Sequence, residues 1–117
     1  MRKNIYALLA IMVFSTISNS ANAIEIMGYR SCGKWIQGRE TERRSGPTDW
    51  LDASSNSDWL LGYLSGLAIG FNKDFLKGTD NPSIYLWVDN YCRANPLKRI
   101  DDTADDLAVE LIRQKRL

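Results

Sequence analysis

The apolar positions of this chain fall into groups with helical spacing, separated by stretches dense in Ser, Gly, Pro and charge. The strongest group is WLLGYLSGLAIGF, residues 59–71, apolar nearly all the way round a helix between Asp58 and Asn72-Lys73. A helix without a polar face must be wrapped by other elements or by lipid. The run is shorter than the roughly 20 residues of a membrane span, so it reads as the buried central helix of a small domain. Gly62, Gly66 and Gly70 recur every four residues and share one side, where bare backbone lets a neighbouring helix come close. Each costs on the order of 1 kcal/mol of helix propensity against Ala, so the pattern predicts close packing there, with a ligand groove as the alternative. Leu60, Leu64, Leu67 and Phe71 form the bulkier side, with Trp59 and Tyr63 beside it as further packing residues.

The other groups are amphipathic. Ser31 is placed to cap a short helix whose Cys32, Trp35 and Ile36 share one apolar face. Ile24 and Ile26 alternate weakly, but a strand so short has no evident partner. From 39 to 57 the composition shifts to Ser, Gly, Pro and charge, which predicts a loop with a turn of helix at most around Trp50-Leu51. Residues 77–81 make a turn, with Asn81 as N-cap and Pro82 at the first helical position. The helix that follows runs to about Ala94. Ile84, Trp87, Val88 and Tyr91 form its stripe, Cys92 adjoins it, and Leu86, Asp89, Asn90 and Arg93 sit away from it. Asn95-Pro96 ends that helix, because the residue before proline is pushed out of the helical region. Asp101 or Asp102 then caps a last helix lined by Ala104, Leu107, Ala108, Leu111 and Ile112. Its acidic start (Asp101, Asp102, Asp105, Asp106) and basic end (Arg113, Lys115, Arg116) suit the helix dipole. A second reading is a protonation switch, since Asp101/Asp105 and Asp102/Asp106 are like-charged i,i+4 pairs whose repulsion vanishes in acid. The expected fold class is all-α: one small domain over 24–117, a bundle of about four helices with a loop at 39–57.

The first residues change the setting. Arg2-Lys3, an apolar stretch over 5–17 and Ala21-Asn22-Ala23 have the order of a secretory signal peptide, expected to be cut after Ala23. The compartment is then oxidising, and for a Gram-negative source it is the periplasm. No second run of spanning length follows, so no stable membrane insertion is expected. The leader takes two cations with it, so 15 − 2 = 13 basic residues face 14 acidic ones and the net charge becomes −1. Near-neutrality without a basic stripe argues against nucleic acid as a partner.

Two cysteines far apart in an exported chain, Cys32 and Cys92, read most simply as a structural disulfide. Closing a loop of about 60 residues contributes roughly 4 kcal/mol in the chain-entropy account, a sizeable share for so small a core. A redox or metal pair is the alternative, weighed against the lack of any C-x-x-C and of any His. Without His there is no His-based triad, ordinary zinc site or imidazole acid–base group. The glycines lie inside a helix rather than in a phosphate loop, and the carboxylates crowd one helix start. The expectation is a non-enzyme that uses no metal or cofactor. Arg39, Arg43 and Arg44 form the only sizeable basic cluster, either a solvated loop or a surface for an acidic partner. Trp50 either tucks back over the core or serves as a contact. The candidate partner-binding residues are therefore Arg43, Arg44, Trp50 and the face carrying Leu86, Asp89 and Arg93. Five tyrosines and four tryptophans in so small a domain leave room for exposed aromatics and hence for a homodimer.

Read together, Ser31-Cys32-Gly33-x-Trp35-Ile36, Trp59-Leu60-x-Gly62-Tyr63-x-x-Gly66 and Val88-x-x-Tyr91-Cys92-x-x-Asn95-Pro96, between a signal peptide and a closing amphipathic helix, resemble the small two-cysteine periplasmic proteins around HdeA, the acid-stress chaperones. The pattern is similar too to the Tai-type immunity proteins, which guard the periplasm against effectors injected by rival cells. The resemblance covers most of 31–111 and departs from the chaperones in the long 39–57 stretch. It implies a compact helical fold, a disulfide matching Cys32–Cys92, and protein binding rather than catalysis. Its two versions differ in partner: unfolding clients in acid, or one cognate effector at neutral pH.

Overall fold

A helix starts and stops where the unpaired backbone groups of its end turns find partners, and the described residues hold four helices: α1 (Cys32–Arg44), α2 (Trp50–Phe71), α3 (Asn81–Ala94) and α4 (Ile100–Lys115). The computed structural model describes residues 26, 30–44 and 50–117, apart from the side chains of 50–54. The expected leader, 1–23, lies outside the described residues. Ser31 and Arg99 make an isolated antiparallel bridge, and no strand is present among the described residues. The protein is an all-α bundle with one disulfide, Cys32–Cys92.

The caps place the helices. Ser31 Oγ accepts the Lys34 N–H (3.2 Å) at the start of α1, as expected. α3 is capped one residue earlier than the sequence suggests, by Asp80 rather than Asn81. The Asp80 carboxylate accepts the Ser83 N–H (2.8 Å) and the Ser83 hydroxyl (2.9 Å), bonds that hold it below the usual carboxylate range. Neither Asp101 nor Asp102 caps α4; the cap position is Arg99, which makes no side-chain cap bond. Instead the Ile100 N–H donates to the Arg30 carbonyl and the Cys32 N–H to the Lys98 carbonyl, both at 2.8 Å. The starts of α1 and α4 satisfy each other through flanking backbone, a tertiary partner that no cap pattern reports.

α1 packs chiefly on α2 and α3, and α4 packs on the same two. The core between them holds Trp35 and the disulfide, Leu60 and Leu64, Phe75, Ile84 and Val88, and the stripe Ile100, Ala104, Leu107, Ala108 and Leu111. Trp59, Tyr63, Trp87 and Tyr91 pack against this core half-buried.

Two expectations are overturned. The 39–57 stretch is mostly helix: α1 continues to Arg44 and α2 begins at Trp50, leaving 45–49 outside the described residues. Tertiary contact outweighs weak propensity at both ends, since Arg39 and Arg43 reach a carboxylate on α3 and Ser57 is buried. The second concerns the central helix, which is not wrapped. Its Leu60–Leu64 side is buried, but Gly62, Gly66 and Gly70 are exposed, and a Cβ built on any of them meets nothing within 4 Å. Among the described residues no helix approaches the glycine side, because the main neighbours of α2, α1 and α4, share its leucine side. Ile69 stands 81% exposed. No helix among the described residues is long and apolar enough to cross a membrane.

Candidate functional site

Trp35, Arg39 and Arg43 are spaced four apart, so α1 presents them in one line. Opposite them on α3 lies Asp89, directly after buried Val88 and therefore at the edge of the buried stripe. The sequence pattern sets Asp89 on an outer face with Leu86 and Arg93; instead it is 1% exposed. The correction has a clear cause. A carboxylate is buried only when its charge and lone pairs are met, and three donors meet this one. The Trp35 indole N–H donates to Oδ1 at 2.7 Å, Arg39 Nε lies 3.2 Å from Oδ1 and 3.4 Å from Oδ2, and Arg43 Nη2 lies 3.4 Å from Oδ2. Arg39 also pairs with Glu42 at 2.7 Å and stands 5.3 Å from the centre of the Tyr85 ring. Tyr85 in turn meets Trp35 at 6.1 Å between ring centroids. Arg39 is well enclosed, whereas Arg43, with its side chain 58% exposed, adds an outer and weaker contact. Removing one partner of a buried pair of this kind typically costs about 3–5 kcal/mol, because the charge left behind stays buried.

This network lies beyond the first turn of α1, which is fixed to α3 covalently. The Cys32–Cys92 bond spans 60 residues of sequence with its Cα atoms 4.8 Å apart, and both cysteines are fully buried. α1 is thus held to α3 at its first residue by a bond that acid leaves intact, and along its later turns by a carboxylate.

A second polar system runs along α4. Tyr63 of α2 donates to Asp105 Oδ1 at 2.9 Å and Tyr91 of α3 donates to Asp106, each tyrosine stacked on a tryptophan of its own helix, Trp59 or Trp87. Burial, then Asp105, pushes the Tyr63 phenol up to about 12; Asp106, then burial, does the same for Tyr91. Burial first, then the charges of Asp101, Asp102 and Asp106, raises the Asp105 carboxyl, while the Tyr63 bond opposes them. Asp101 is buried and paired with Arg99 at 2.6 Å. The acidic start of α4 is therefore partly interior and bonded to its neighbours. A cleft of about 360 Å³ opens between α3 and α4, with Ile84, Trp87, Leu107 and Leu111 among its lining and Asp80, Glu110 and Lys115 at its polar edge.

The remaining candidates scatter. Leu86, Arg93 and Arg44 are exposed, Arg43 turns to Asp89, and the Trp50 side chain lies outside the described residues. Only Arg43 and Asp89 of the candidate set come together. Sequence reasoning missed Trp35 and Arg39 as their partners, although the four-residue spacing of Trp35, Arg39 and Arg43 was the available signal. Among the described residues, no group of three or more His, Cys, Asp or Glu is placed to hold a metal. No family model, curated protein or solved structure matches the chain.

Proposed function

We propose that this chain is an exported, non-enzymatic protein-binding protein of the periplasm that acts as an acid-responsive chaperone in the HdeA-like manner. The observation that carries this reading is the buried Asp89 carboxylate, shared by Trp35, Arg39 and Arg43 beside the disulfide that ties α1 to α3. In strong acid carboxylates lose their charge. Arg39 and Arg43 then lose the charge between them and repel each other at i,i+4. The later turns of α1 leave α3, while Cys32 keeps the helix attached and limits the opening. Trp35, Tyr85 and Leu60 come into reach of unfolding clients, and the protonated chain carries a strong positive charge that keeps the complex soluble.

Asp89→Asn tests this directly, because the amide still accepts the Trp35 bond but carries no charge. Wild type is expected to suppress aggregation of a client enzyme only in acid, at about pH 2–3, and D89N to do so already near pH 7. Tryptophan fluorescence that stays unchanged to about pH 2, with no protection of the client, overturns the reading.

An immunity protein that neutralises one injected effector at neutral pH is the second reading. It is favoured by Leu86, Arg93 and Arg44 standing exposed on helices already ordered and stapled. Its test is inhibition at pH 7 of a toxin encoded alongside this chain.

A further inference from the structure

The cleft between α3 and α4 has an apolar floor that the helical repeat builds. Ile84 and Trp87 stand three apart on α3, and Leu107 and Leu111 four apart on α4, so each helix lends the recess one side. Its volume of about 360 Å³ falls within the range of roughly 300–1,000 Å³ usual for small-molecule sites. The walls are pinned. Lys115 of α4 reaches across to the turn before α3, where its Nζ donates to the Phe75 and Lys77 carbonyls, both at 2.6 Å, and to Thr79 Oγ1 at 2.8 Å. Asp80, next along the rim, fixes the start of α3 through its two bonds from Ser83. Gly78 turns the chain at φ +75° and leaves its part of the rim bare, with nothing within 4 Å of a Cβ placed there.

The charges at the rim are unequally committed. Lys115 is the only cation among the lining residues, and all three protons of its ammonium go to the turn, so none is left for an anion. Glu110 is met by the Arg113 guanidinium and by the Gln114 amide, each at 2.7 Å. Asp80 meets no cation among the described residues: its bonds come from the Ser83 N–H and hydroxyl, one to each oxygen. Those bonds hold its carboxyl below the usual range, so it is ionised at neutral pH. The charge that the cleft leaves free is therefore negative, and it lies at the edge of an apolar floor.

We propose that this cleft binds a small organic cation, an alkylammonium or arylalkylammonium, with its apolar arm on Ile84, Trp87, Leu107 and Leu111 and its ammonium at the Asp80 carboxylate. An anion of the same shape finds no free proton on Lys115 and is repelled by Asp80. A neutral molecule of that shape gains the floor alone. A recess of this size admits one small molecule, whereas a stable protein interface covers about 800 Å² on each partner. Walls that are already in place reduce the ordering that binding must bring about. α3, α4 and the turn between α2 and α3 make the site without α1, so the inference is independent of the acid opening.

The test titrates phenethylammonium into the disulfide-bonded protein at about pH 7 by calorimetry, with phenethyl alcohol and phenylpropionate as neutral and anionic counterparts. The amine is expected to bind saturably with a Kd of about 1 mM or below, the alcohol about fivefold more weakly, and the carboxylate more weakly still. Phenylbutylammonium, with a longer arm, is expected to bind about fivefold tighter as its added methylenes reach the floor. Asp80→Asn keeps an acceptor for the Ser83 N–H, so the start of α3 and the circular dichroism are expected to persist. The variant is expected to bind the amine about fivefold more weakly, the effect of an exposed carboxylate, and the alcohol as wild type does. Amine and carboxylate binding alike, equal affinity for the short and long amines, or D80N holding the amine as tightly as wild type overturns the proposal. So does the absence of saturable amine binding.

Discussion

Tyr63 of α2 and Tyr91 of α3 reach adjacent aspartates on α4, and Asp105, which receives Tyr63, has a pH dependence opposite to that of Asp80 and Glu110. The Asp105 carboxyl is raised in the fold, so the native state holds that proton more tightly than the unfolded chain does. Its contribution to stability is present in acid and is lost as pH rises through the raised value. Asp80 and Glu110 run the other way: the Ser83 bonds and the Arg113 bond lower them, and what they contribute is lost as pH falls through those lowered values. Asp105→Asn keeps an acceptor for Tyr63 but removes the repulsion from Asp101 and Asp102. It is expected to stabilise the protein at pH 7 by about 0.5 kcal/mol, a rise in Tm of about 3 °C, with the gain vanishing near pH 2. Thermal melts of both proteins at the two pH values check it. At high pH the raised phenols stabilise below the ordinary value of 10.0, and this is lost as pH climbs through about 12, where ultraviolet titration should find Tyr63 and Tyr91. Little of this was legible in sequence. The i,i+4 acidic pairs were, but not which of them would be buried, because the two tyrosines come from elsewhere in the chain. Asp89 illustrates the same limit: a charged residue beside an apolar stripe reads as solvent-facing until its three donors on α1 are known.

At the level of elements, three of the four apolar groups gave helices with the expected buried sides, since helical periodicity is local and packing rewards it. α2 is the instructive exception. Its uniform apolarity and its four-residue glycine spacing point to a wrapped helix, yet among the described residues only the Leu60–Leu64 side is covered. A sequence records that a glycine can be approached, not that anything approaches it. The consequence is measurable. Gly66 is mid-helix, exposed and open to a Cβ, so Gly66→Ala is expected to stabilise α2 by about 1 kcal/mol, raising Tm by about 5 °C. A loss of stability would mean that another surface, such as a second copy of this chain, rests on the glycine side. The lengthening of α1 and α2 into the expected loop has a different origin. Arg39, Arg43 and Ser57 gain tertiary partners only when their backbone is helical, so composition alone undervalues them.

For the molecule as a whole, one covalent bond and one carboxylate divide the work of holding α1, and they respond to different conditions. Cys32 and Cys92 lie fully buried at the centre of the core, where Cys32 Sγ rests 3.6 Å from Thr103 Oγ1 of α4. The bond removes roughly 4 kcal/mol of freedom from the unfolded chain, against total stabilities of about 5–15 kcal/mol for small domains. Oxidised protein in acid should therefore open in part, losing the near-ultraviolet signal of Trp35 while keeping most of its helix. Reduced protein has no such limit. When the Asp89 pairs go, α1 departs entirely, Trp35 leaves the core, and α2 to α4 lack enough buried surface to persist. Far-ultraviolet circular dichroism between about pH 7 and pH 2, with and without reductant, separates these outcomes. Helix retained when oxidised and lost when reduced means that the disulfide sets the extent of the acid opening. Helix lost equally in both means that α1 is held by the core alone and that Asp89 is a structural clamp rather than a latch.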